Sequence, residues 1–171
     1  MGGSTQEHGR LRTQEHTAQL MTEGFTTGDW YLTLGFFPDR CPRNPEAARY
    51  FLKVDFTNPL RAQRKQQGLS TRYMNALRWE TGGMPPEFHY VLSHGPEMLE
   101  DLKRLWPYGP VIRRTLGEMG PLDKVGRSLY QIGLSAVEKG GNAVQRSTGF
   151  GEWRTKRRFP APDELRRRAA I

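Results

Sequence analysis

Glu87 and His89 stand two residues apart in the stretch Pro85-Pro86-Glu87-Phe88-His89-Tyr90-Val91-Leu92-Ser93, which reads as a strand entered from a turn. Residues i and i+2 of a strand share a face. A carboxylate oxygen and an imidazole nitrogen would therefore project together, with Phe88 turned the other way into a core. Such a pair can hold a divalent cation if a third ligand comes from elsewhere in the chain. The same pattern describes a half-exposed strand with two outward polar residues, and the residues alone leave both readings open. His94 is expected in the loop before Pro96, away from the pair, and His8 and His16 sit in a polar N-terminal helix without evident partners.

Tyr130 is the candidate nucleophile. A tyrosine on a helix can attack a DNA phosphate when a metal on a neighbouring sheet polarises the scissile oxygen. Lys139 follows nine residues later, about two and a half helical turns away. A packing role with a wet hydroxyl is the alternative for Tyr130. Near the C-terminus, Trp153 is interleaved with Arg154, Lys156, Arg157 and Arg158. That mixture suits a single nucleic-acid strand, because cations meet phosphates while rings stack on bases. Arg61, Arg64 and Lys65, on one face of an expected helix, would extend the track. The alternative is a solvated basic tail.

These residues need elements to position them. Ser4-Thr5-Gln6-Glu7 has the form of a capping box, so a helix is expected there, docked lightly through Leu11, Ala18, Leu20 and Met21 and stopped at Gly24. Trp30 to Phe37 reads as a buried strand. Asn44 and Pro45 start a helix whose buried face is Ala48, Leu52 and Phe56. Asn58 is expected to cap a second short helix with Pro59 at its first position and Gly68 beyond its end. Thr71–Trp79 and Phe88–Ser93 pair as an antiparallel hairpin. Pro96 opens a helix that buries Met98, Leu102 and Leu105, Pro110–Arg114 forms a short strand, and Pro121 opens a last helix. In that last helix Gly126 and Gly133 each lower intrinsic stability by roughly 1 kcal/mol relative to Ala. The whole is an α+β layer: a central antiparallel sheet of about four to five strands packed with helices. Residues 1–28 form a polar helix and lead-in, 29–140 the core, and 141–171 a basic segment expected to be partly flexible.

The 171 residues suit one domain, and 36% hydrophobic content allows a core of modest size. Twenty-six Lys and Arg against 18 Asp and Glu give a net charge of +8, which favours a polyanionic partner. A single cysteine, Cys41, excludes an internal disulfide and a thiolate zinc cluster. No apolar run approaches the roughly 18 residues needed to span a bilayer. No membrane partner and a cytoplasmic location are expected.

Taken in order, several segments resemble the replication-associated (Rep) proteins of rolling-circle plasmids, integrative elements and filamentous phages, in the His-hydrophobic-His endonuclease superfamily. The resemblance runs from about residue 5 to 162. Phe25-Thr26-Thr27-Gly28-Asp29-Trp30-Tyr31-Leu32-Thr33-Leu34-Gly35-Phe36 is similar to the family's first strand and its lead-in. Leu60 to Leu69 is similar to the basic helix end before strand two, and Arg72 to Trp79 with Glu87 to Leu92 to the paired metal-site strands. Leu105-Trp106-Pro107-Tyr108-Gly109-Pro110-Val111 resembles the turn that follows, and Trp153 to Pro160 the closing Trp-plus-basic segment. The resemblance implies a His-hydrophobic-His endonuclease-like (RRM-like) core.

The chain departs from that family where chemistry would occur. Glu87 holds the position of the first histidine, so only His89 remains. The acidic ligand of strand two falls on Arg78, with Glu80 two residues along on the same face. The nucleophilic tyrosine falls on Ala136, and Tyr130 lies too far upstream to inherit its role by alignment. Arg78 would place a fixed cation where a metal sits, and Glu87 would either ligate a metal or pair with Arg78 across the hairpin. The expected function is therefore non-enzymatic: a degenerate Rep scaffold of a mobile element that binds single-stranded or hairpin DNA through its sheet face, Arg61, Arg64, Lys65, Arg78 and the basic tail. An anti-CRISPR-type inhibitor of a host nuclease on the same scaffold is the alternative. A residual nickase is the second alternative, using Tyr130 with Glu87, His89 and Glu80 around Mg²⁺ or Mn²⁺; otherwise no cofactor is expected.

Overall fold

Five short stretches, of which Trp30–Gly35, Glu87–Leu92 and Val111–Thr115 are the richest in β-branched and aromatic residues, pair into one sheet in the computed structural model, which describes residues 3–80, 83–137 and 142–147. The strands are β1 (Trp30–Gly35), β2 (Tyr73–Arg78), β3 (Glu87–Leu92), β4 (Val111–Thr115) and β5 (Gln145–Arg146), in the order β4-β1-β3-β2-β5. All neighbours are antiparallel. The first four strands and their connecting helices make the split β-α-β arrangement. The hairpin of β2 and β3 forms as expected, and β5 adds a two-residue strand on the far edge that has no counterpart in the sequence reading.

Helices cover both faces of the sheet. On one face, Leu32, Leu34, Leu77, Phe88, Tyr90 and Leu92 pack with Trp106 and with residues of α2 (Pro45–Phe51), α3 (Asn58–Gln66) and α4 (Leu99–Leu105). On the other, Tyr31, Met74, Ala76 and Val91 pack with Met21 and Phe25, at the end of α1 (Gly3–Gly24) and just beyond it, and with Val125 and Leu129 of α5 (Leu122–Leu134). The sheet is therefore not the open platform that a face-on nucleic-acid reader needs. Among the described residues no helix is long and apolar enough to cross a membrane.

Local chemistry explains most boundaries. Asn44 Oδ1 accepts the Ala47 N–H at 2.8 Å, so α2 starts at Pro45 as its sequence requires. Asn58, in contrast, caps nothing. A wide π turn over Leu52–Thr57 carries α2 into α3 without a break. Apolar residues spaced by four drift about 40° per step on an ordinary α-helix. The wider turn offsets that drift, and Ala48, Leu52, Phe56 and Leu60 all reach the core. It also accommodates Pro59, which would otherwise clash with a carbonyl one turn back.

Two further expectations are corrected. The helix expected to open at Pro96 begins at Leu99, because Asp101 caps the Met98 N–H at 2.8 Å; Met98 is 68% exposed and not in the core. The first helix does not dock lightly: Thr17, Ala18 and Met21 are buried, and a Cβ added at Gly126 of α5 would stand 2.7 Å from Ala18 Cα. Gly126 and Gly133 are thus close-approach glycines. At Gly133 an added Cβ would overlap the Ala143 carbonyl just before β5.

Candidate functional site

Strand register brings four side chains together at one end of the sheet, on the α5 side. Glu87 pairs with Gly35 on β1 and with Arg78 on β2, while His89 pairs with Thr33 and Ala76. Tyr31 is the diagonal neighbour of His89, and its hydroxyl lies 2.6 Å from His89 Nδ1. His89 Nε2 lies 2.9 Å from Glu87 Oε1. The same oxygen is 3.2 Å from Arg78 Nη2, and Arg78 Nη1 is 3.9 Å from Glu80.

The proton positions in this chain follow from the environment. Burial, reinforced by the Glu87 charge, pushes the Tyr31 phenol far above its ordinary value, so it stays protonated and donates to Nδ1. The Nε2–H then donates to Glu87. Burial also lowers the His89 pKa; Glu87 pulls it upward through charge and hydrogen bond, and Arg78 pushes it down, leaving a net decrease. His89 is neutral at pH 7, with both ring nitrogens engaged.

These residues do not fit a catalytic metal. A metal-bound imidazole needs a free lone pair, and the one on His89 faces Tyr31. Glu87 Oε1 already accepts from His89 and faces the Arg78 guanidinium. Among the described residues no group of three or more His, Cys, Asp or Glu is placed to hold an ion. Glu80, half exposed, stands 3.9 Å from Arg78 Nη1 and makes no other ion pair among the described residues. The expected metal ligands are thus brought together, but as a closed hydrogen-bonded chain.

The other candidates separate. Tyr130 is 5% exposed on α5, in a packing position. Arg64 is corrected most strongly: it is 1% exposed and does not share an outer face with Arg61 and Lys65. Its Nε and Nη2 donate to Glu97 at 2.6 and 3.0 Å, and Nη1 donates to Ser93 Oγ at 3.0 Å. A bidentate carboxylate and a hydroxyl outcompete water for this guanidinium. Arg61 and Lys65 remain exposed on α3. Lys139, Trp153, Arg154, Lys156, Arg157 and Arg158 lie outside the described residues. His94 lies in a loop, as expected, and bonds Asp29 through both its backbone N–H and Nδ1.

Tyr31 is the site residue that sequence reasoning missed. It reads as one aromatic in a buried strand, and only the β1–β3 register reveals its place beside His89. No protein-family model matches the chain, and neither a curated protein nor a solved structure does.

Proposed function

We propose that the chain is a nucleic-acid-binding protein without nicking activity, a catalytically degenerate form of the Rep scaffold it resembles. The observation that carries this reading is Arg78. It sits 3.2 Å from Glu87 at the strand-two position where the resemblance implies a metal ligand. A guanidinium there supplies positive charge permanently and cannot polarise a scissile oxygen as a bound ion would. His89 engaged at both nitrogens and Tyr130 buried support the same reading: among the described residues these candidates do not assemble a nucleophile beside a set of metal ligands. The net charge of +8 supports a polyanionic partner, single-stranded or hairpin DNA.

The test has two arms. Supercoiled plasmid incubated with the protein and Mn²⁺ is expected to stay supercoiled, and labelled single-stranded and hairpin oligonucleotides are expected to bind at low salt and dissociate as salt rises. A metal-dependent nick, or a covalent adduct lost in Tyr130→Phe, would overturn the inactive half of the reading. Absence of binding at low salt would overturn the other half.

A further inference from the structure

On the sheet face opposite His89, the helical segment from α2 to α3 leaves a cleft against β2 and β5. It consists of two adjoining hollows of about 430 and 330 Å³ that share Asn58 and Arg61 in their walls. Lys65 stands beside the first hollow, and Arg49 and Lys53 beside the second. Among the described residues no Asp or Glu lines either one. Lys53, Arg61 and Lys65 are exposed and make no ion pair among the described residues. Arg49 is held in place by donating to the Ala136 carbonyl at 2.9 Å.

The floor of the cleft is polar where a core would be apolar. Asn75 of β2 is 4% exposed and lines the second hollow. Thr71 Oγ1, beside the first hollow, is buried without a partner among the described residues. Unpaired buried polar groups are rare in folded proteins and call for an explanation. Tyr73, stacked on Tyr90 with centroids 5.5 Å apart and planes at 28°, completes the wall beside Asn75.

We propose that this cleft binds one strand of nucleic acid, with phosphates along Lys53, Arg61 and Lys65 and one unpaired base against Tyr73 and the Asn75 amide. The assignment rests on the nucleic-acid reading above and gives it a place: the face covered by α2, α3 and α4, across the sheet from the His89 chain. Cations without competing carboxylates attract the backbone. An amide carries both a donor and an acceptor, the pair that a base edge presents. An unpaired base has that edge free, whereas a base in a duplex has its Watson–Crick edge occupied.

Fluorescence anisotropy of a labelled 12-nucleotide single strand across a salt series tests the assignment with the full chain. Arg61→Ala/Lys65→Ala is expected to weaken binding on the order of tenfold and to reduce the salt slope by about 0.7 per lost contact. Lys103→Ala/Arg104→Ala, on the exposed side of α4, is the control and is expected to bind like the unaltered chain. Asn75→Ala is expected to weaken binding while the melting temperature stays within a few degrees of that of the unaltered chain. A blunt duplex of the same length is expected to bind more weakly than the single strand. If the unaltered chain does not bind at all, the nucleic-acid reading itself falls. If it binds while the Arg61/Lys65 variant matches it, or the control loses as much, only the cleft assignment falls. Equal affinity for duplex and single strand would overturn the base contact.

Discussion

His89 uses one ring nitrogen to accept from Tyr31 and the other to donate to Glu87, and this fixes what pH does to the site. Burial lowers its pKa from the ordinary 6.5, Glu87 opposes the shift, and Arg78 reinforces it. The unfolded chain therefore takes up this proton more readily than the folded one, and stability rises with pH through the window that ends near 6.5. Stability from neutral His89 is complete above that value and is lost as pH falls below it. Arg78→Gln removes a downward push, so the His89 pKa is expected to rise and the pH dependence of stability to shrink. Glu87→Gln removes both upward pulls and is expected to lower the pKa further. An NMR titration of the His89 ring, with urea midpoints at about pH 7.5 and 5.5, checks both. Shifts of the same sign in the two variants would mean that the Arg78–Glu87–His89 geometry is wrong.

At the level of elements, α1 and α5 meet through a glycine, and this sets opposite outcomes for two identical substitutions. Gly9 in α1 has open space around it, so Gly9→Ala is expected to stabilise by up to about 1 kcal/mol through helix propensity alone. Gly126→Ala gains the same propensity but drives a methyl into the Ala18 backbone, and overpacking of this kind costs roughly 1–3 kcal/mol. Thermal melts of the two variants should move in opposite directions; a stabilised Gly126→Ala would show that the helices can separate without loss. The distinction marks the limit of what the sequence discloses. Strands β1 to β4 were legible because their periodicity is local, and so was the shared face of Glu87 and His89. Tyr31 beside His89 was not, because that contact spans 58 residues and depends on strand register. Arg64 looked like one of three surface cations because its partner Glu97 lies 33 residues away. Asn75 sits inside an otherwise ordinary β-strand, and nothing local distinguishes a floor residue of a cleft from a core one.

For the whole molecule, the question is where the charge resides. Seven of the 26 basic residues and three of the 18 acidic ones follow Ser147, so half of the net +8 belongs to the last 24 residues and half to the rest. Ser147 is also the last described residue before that segment, and it is tied to β2: its N–H donates to the Tyr73 carbonyl at 3.0 Å, and its Oγ accepts the Tyr73 N–H at 3.1 Å. A chain ending at Ser147 keeps β5, both helix layers and the cleft of Lys53, Arg61 and Lys65. It is expected to melt cooperatively within a few degrees of the full chain, because both core clusters are built from residues that it retains. Its affinity for a single strand should fall and its salt slope should shrink, by about 0.7 for each phosphate contact removed. Binding should nevertheless persist, and the residual should be sensitive to Arg61→Ala/Lys65→Ala. That pattern would divide the work between a built cleft and a basic extension. Complete loss of binding on truncation, with the melt unchanged, would place all of the affinity in the last 24 residues and leave the cleft without a role.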